Sequence, residues 1–274
     1  MHCRRTHGVS WAVKAAALPM MFFAMIFVSC AFATQNDEDP LKIAVSANFS
    51  QPAKQIAALY TEKTGIPVRI SVGSSGTLFA QISRGAQFDL FLSADSARPN
   101  ALITSGKVNA DDVFPYAKGQ LALMVDANLF DMDTLNWQQL DDVFCGSSQR
   151  LAIANPAIAP YGVAAKKVLS QGNAWECAQA SMVKGNNVIQ AYQFFESGNV
   201  PVAFVARSLV VDRNDILEVP SHLHDPIVQS LAITALQDNK HRANAFVDFL
   251  LSAEIQQRLV ALGYETIVEP GANE

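Results

Sequence analysis

Seven short apolar runs, rich in β-branched residues and separated by stretches of helical periodicity, restrict this chain to an α/β architecture. The runs cover residues 41–46, 67–72, 88–93, 120–125, 151–154, 200–205 and 231–236. None shows strict in-out alternation, so they read as strands covered on both faces. Between them, Ala53, Ile56, Ala57 and Tyr60 follow helical spacing, and Gly65 closes that helix. Phe246, Phe249, Leu250, Ile255, Leu259 and Leu262 form the stripe of one long helix stopped at Gly263. The pattern divides into residues 41–117 as a first lobe, 118–230 as a second, and 231–274 returning to the first. Tyr116-Ala117-Lys118-Gly119 is read as the crossover.

The first forty residues are built differently. Arg4, Arg5 and Lys14 precede an apolar stretch from Ala15 to Val28, and Ala31-Phe32-Ala33 offers a small-x-small cleavage pattern. Those are the parts of a secretory signal peptide, residues 1–33, followed by a polar lead at 34–40. An uncleaved anchor, lipidation of Cys30 and a twin-arginine signal at Arg4-Arg5 are the alternatives. Cleavage after Ala33 leaves 241 residues in the periplasm and takes three basic residues with it. The formal charge of −5 then becomes −8, a surface that argues against nucleic acid and anionic membranes. Of the four cysteines, Cys145 and Cys177 lie outside the leader. In an oxidising compartment they are expected to bond, with two buried thiols as the alternative.

The chemistry is concentrated where strands hand over to helices. Four such loops are Ser46-Ala47-Asn48-Phe49-Ser50-Gln51-Pro52, Gly73-Ser74-Ser75-Gly76-Thr77, Asn155-Pro156-Ala157-Ile158-Ala159-Pro160-Tyr161-Gly162 and Gly185-Asn186-Asn187-Val188. A helix start exposes unpaired N–H groups and partial positive charge, so it attracts anions without a cationic side chain. Ordinary capping explains any one loop. Two loops in each lobe, aimed into a shared cleft, explain more. None of the four contains Asp, Glu, Lys, Arg or His. Phosphate keeps a proton at neutral pH and calls for an acceptor, whereas a fully deprotonated dianion needs donors alone. Sulfate, molybdate and tungstate meet that condition.

Other chemistries have weaker support. Asp89 and Asp95 can be posed as the paired carboxylates of an exported hydrolase, but Asp95 reads as a helix N-cap. Ser75 lacks the Gly-x-Ser-x-Gly elbow, and no histidine is placed as its base. His222, His224 and Asp225 form a metal-like cluster only if they lie on a strand, and no third ligand follows at fixed spacing.

The loops, with Phe88-Asp89-Leu90-Phe91-Leu92-Ser93-Ala94-Asp95, resemble the molybdate-binding periplasmic proteins, soluble receptors of ATP-binding-cassette importers. The resemblance covers residues 41–268. It implies a two-lobed, type II periplasmic-binding-protein-like fold with the ligand in the cleft, a membrane permease as partner, and no cofactor or catalysis. A monomer is the expectation. By position it implicates Asn48 with Ala47, Ser75, Tyr161 and Val188 as ligands of the oxyanion. Asn48 and Ser75 would donate through side chain and backbone, Tyr161 through its N–H or phenol, and Val188 through its N–H. Some relatives place a tyrosine where this chain has Ala206, a departure for which Tyr161 can substitute. A receptor for sulfate, thiosulfate or another oxyanion is the alternative within the same class.

Overall fold

The computed structural model describes residues 39–131, 137, 140–146 and 149–267. The expectations for residues 1–38, including the leader, Cys30 and cleavage after Ala33, lie outside them. Among the described residues no helix is long and apolar enough to cross a membrane.

Two sheets organise the chain. The six-stranded sheet holds β1 (Leu41–Ser46), β2 (Val68–Gly73), β3 (Leu90–Leu92), β4 (Val113–Gly119), β10 (Ile227–Ile233) and β11 (Tyr264–Glu265), in the order β11-β4-β10-β3-β1-β2. The five-stranded sheet holds β5 (Leu121–Val125), β6 (Leu151–Ala154), β7 (Met182–Gly185), β8 (Val202–Ala206) and β9 (Ile216–Glu218), in the order β7-β6-β8-β5-β9. The chain passes between sheets at Gln120 and again between β9 and β10. Because β4 runs through Gly119 and β10 starts at Ile227, residues 118–119 and 227–230 belong to the first sheet, although both fall within the span expected for the second lobe.

The central strands are buried as their apolar composition suggests, whereas β2, expected to be covered on both faces, stands at the sheet edge and is only half-buried. β5, β6 and β8 are buried along their whole length, and β1 nearly so. β1 pairs in parallel with β2 and β3, which requires crossover helices on the faces. These are α1 (Ser50–Thr64), ending at Gly65, and α2 (Ser75–Ser83). In the first core Tyr60 meets Phe246 edge-on at 5.1 Å, and Phe49 meets Tyr116 at 4.9 Å. In the second lobe α4 (Leu140–Cys145) and α6 (Ala174–Ala178) are joined by the Cys145–Cys177 disulfide. Closing a loop of that length contributes about 3–4 kcal/mol in the chain-entropy account.

Several expectations change. The long C-terminal helix is two, α8 (Lys240–Leu251) and α9 (Ala253–Ala261), because Ser252 is extended at φ −60° and ψ 148°. The apolar stripe continues across that break, which is why periodicity alone hides it. β4, absent from the expected runs, contains Pro115, and the ladder with β10 shifts register where Pro115 meets Ser230. His222 sits in a 3-10 turn (Ser221–Leu223) and not on a strand. His224 Nδ1 lies 2.7 Å from Asp225 O. Among the described residues no cluster of three metal-ligating side chains forms.

Candidate functional site

The four loops open the first 3-10 turn (Ala47–Phe49), α2, α5 (Pro160–Leu169) and α7 (Val188–Glu196). Most of their N–H groups are consumed locally, and the residue is informative. In the second loop Thr77 N donates to Ser74 Oγ at 3.2 Å and Gly76 N to Ile158 O at 2.9 Å. That leaves the N–H of Ser75, the first helical residue, without an acceptor in its own helix. In the third, Pro160 has no N–H and Gly162 and Val163 both donate to Ala159 O, which leaves Tyr161. In the fourth, Asn187 Oδ1 caps Gln190 N at 3.0 Å, and Val188 stands at the first position. In the first, Ala47 and Asn48 open the turn.

The residues that carry these N–H groups line one cavity. Ala47, Asn48, Ser75, Tyr161 and Val188 all line this small cavity, together with Ser46, Ser74, Ala94, Ala159, Pro160 and Asn187. No Asp, Glu, Lys, Arg or His lines it among the described residues. The five residues are themselves almost sealed, between 1% and 3% exposed. Larger grooves elsewhere lack this convergence of helix starts. Such a surface can hold an acceptor-only anion by replacing its water with fixed dipoles.

Side chains around the cavity have unequal roles. Ser75 Oγ accepts from Ala94 N at 2.9 Å, so its own proton is free to point inward. Asn48 differs from expectation. Its Nδ2 donates to Gln229 Oε1 at 2.8 Å and to Tyr264 Oη at 3.2 Å. Both amide protons are thereby engaged. Tyr161 Oη is buried without a partner, as is Gln229 Nε2. Both flank Gly119, where a Cβ would collide with the phenol and lie 2.8 Å from Gln229 Nε2. Glycine in the crossover is what lets Tyr161 reach in. Ala206 is fully buried at the end of β8, opposite Leu121.

The hydrolase pairing does not assemble. Asp89 accepts from Lys42 N at 2.8 Å and Asn239 Nδ2 at 3.2 Å, tying β1 to the 3-10 turn that precedes α8. Asp95 pairs with Arg98. The cap position of α3 (Ala97–Thr104) is Ser96 and not Asp95, although Asp95 Oδ1 accepts from Arg98 N at 3.0 Å. Gln229 and Tyr264 were not singled out in the sequence. The available signals were a lone amide inside the apolar strand Ile227–Ile233 and an aromatic directly after Gly263.

Burial pushes the phenols of Tyr116, Tyr161 and Tyr264 above their ordinary value near 10. They therefore stay protonated in the fold while those of the unfolded chain ionise. Their contribution to stability is complete below pH 10 and is lost as pH rises beyond it. Urea unfolding between pH 7 and 11 is expected to show a falling limb beginning near pH 10. The same limb should be shallower in Tyr116→Phe.

Comparison with known proteins gives a consistent result. Residues 41–265 match the family model of bacterial extracellular solute-binding proteins. The molybdate-binding protein ModA of Rhodobacter capsulatus is 37% identical over 225 residues, covering 81% of this chain and 87% of that protein. The ModA of Azotobacter vinelandii is 34% identical over 229 residues, covering 82% and 89%. The solved structure of the Azotobacter vinelandii periplasmic molybdate-binding protein superimposes with a TM-score of 0.75 at 32% identity, over 84% of this chain and 99% of that one. The Mycobacterium tuberculosis sulfate-binding protein SubI, 13% identical with a TM-score of 0.65, shares the fold.

Proposed function

This chain belongs to the bacterial extracellular solute-binding proteins, and from that premise we propose that it captures molybdate, and tungstate with it, in the cleft between its lobes. It works in the periplasm, carries out no chemistry on the anion, and delivers it to the membrane permease of an ATP-binding-cassette importer. The supporting observation is the cavity onto which four helix starts converge with no Asp, Glu, Lys, Arg or His among its lining residues. The likeness to ModA proteins, more than 30% identical over four-fifths of the chain, supports molybdate as the dianion.

In this reading Ser75 gives its N–H and hydroxyl, and Tyr161, Val188 and Asn48 with Ala47 give backbone N–H groups. The phenol of Tyr161 is kept for the crossover beside Gly119. Neutral donors fixed in a dry site bind because they need no reorganisation, and selectivity among dianions follows from cavity size. The lobes are residues 41–119 with 227–267, and 121–218, joined at Gln120 and at the segment between β9 and β10. Calorimetric titration of ligand-free protein is expected to show one site per chain, with sulfate at least ~100-fold weaker than molybdate, a gap of about 2.7 kcal/mol. Sulfate binding as tightly as molybdate would sink the assignment and favour a sulfate receptor.

A further inference from the structure

The first loop is braced from a distance. Asn48 O accepts from Tyr264 Oη at 2.8 Å and from Ser208 Oγ at 3.1 Å, and those two hydroxyls lie 3.1 Å apart. Tyr264 Oη also accepts from Asn48 Nδ2 at 3.2 Å. Tyr264 belongs to β11, 216 residues away from Asn48 in sequence. Its ring stands edge-on to Phe49 at 5.4 Å, and only 2% of the residue is exposed. Ser208 comes from the opposite lobe, in the 3-10 turn Arg207–Leu209 that follows β8. One residue beyond Tyr264, Glu265 Oε1 accepts from Gln120 Nε2 at 2.9 Å, at the crossover between sheets.

Such a cluster does more than fill space. A carbonyl that accepts two hydrogen bonds polarises its own peptide group, and the loop's orientation is fixed because Asn48 is held by both main chain and side chain. Asn48 and Ser208 lie in 3-10 turns that follow strands of different sheets, so this contact joins the two lobes beside the crossover, where Arg207 N donates to Gln120 O at 2.9 Å. We infer that Tyr264 is a positioning residue for the anion site: through Asn48 it sets the donors of the first loop, and through Ser208 it ties that setting to the other lobe at the crossover. This rests on the proposed oxyanion site and adds to it a residue outside the four loops.

Tyr264→Phe removes the hydroxyl and leaves the ring against Phe49. Molybdate is expected to bind about 10-fold more weakly, a loss of the size of one buried hydrogen bond, with the change carried by faster dissociation. Ser208→Ala should weaken binding in the same way. The double variant should fall short of the product of the two, because both act on Asn48 O. Tyr60→Phe, the same edit to a buried ring packed against Phe246 in the first core, is the control and should bind as wild type. Small-angle scattering should show that wild type compacts on adding molybdate and that Tyr264→Phe compacts less. Wild-type affinity and off-rate in Tyr264→Phe, or strictly multiplicative effects with Ser208→Ala, overturn the inference. Failure of wild type itself to bind molybdate overturns the proposed function instead, and the two failures are read from separate titrations.

Discussion

Replacing Ser75 with aspartate is expected to abolish molybdate binding while leaving the unliganded protein about as stable as the parent. Ser75 opens α2 and is 1% exposed, with its hydroxyl against Ala94 N. A carboxylate there puts a negative charge beside a dianion. Two unit charges ~4 Å apart repel by about 4 kcal/mol at an effective dielectric of ~20, and the dianion doubles that. Even after discounting for screening, the loss exceeds about 1,000-fold, which corresponds to ~4 kcal/mol. Without ligand the same carboxylate accepts from the N–H groups that would have held the anion and sits favourably at a helix start. Thermal melts with and without molybdate separate the two effects. The parent should shift upward with ligand, and Ser75→Asp should not shift at all. A preserved shift would mean the anion sits elsewhere.

Gly76→Ala is expected to separate affinity from stability in a second way. Gly76 N donates to Ile158 O at 2.9 Å, a hydrogen bond from the first lobe to the second. A Cβ at Gly76 would lie 2.9 Å from both Cα and O of Ile158, which are backbone atoms and cannot rotate away. The lobes must therefore stand apart by a few tenths of an ångström or more. Alanine is at the same time the better helix former, by up to about 1 kcal/mol. The unliganded variant should melt no lower than wild type, yet molybdate should dissociate about 10-fold faster or more. Stopped-flow release alongside unliganded melts decides this. Wild-type release would show that closure does not depend on this contact.

Much of this architecture was legible in the chain because its signals are local. Capping residues at a helix start, an apolar run between turns and a glycine after a periodic stripe each reveal themselves within a few residues. The loops around Asn48, Ser75, Tyr161 and Val188 were found that way, and they line one cavity. What stayed hidden depends on distant partners. The engagement of Asn48 Nδ2 by Gln229 and Tyr264 spans 181 and 216 residues, so no reading of the loop alone shows that its amide is already occupied. β4 was concealed by Pro115, which is tolerated because it falls at the register shift opposite Ser230. The break at Ser252 was concealed for the opposite reason: the apolar stripe resumes in phase in α9. Strands of two to four residues at sheet ends, such as β7, β9 and β11, carry too little pattern to stand out.

Anomalous diffraction at the molybdenum edge, from crystals grown with molybdate, tests the central claim most directly. One strong peak is expected in the cavity among Asn48, Ser75, Tyr161 and Val188, with anion oxygens at hydrogen-bonding distance from their N–H groups and no charged side chain in contact. A peak elsewhere, or a lysine, arginine or carboxylate drawn onto the anion, would contradict a site built from neutral helix starts alone.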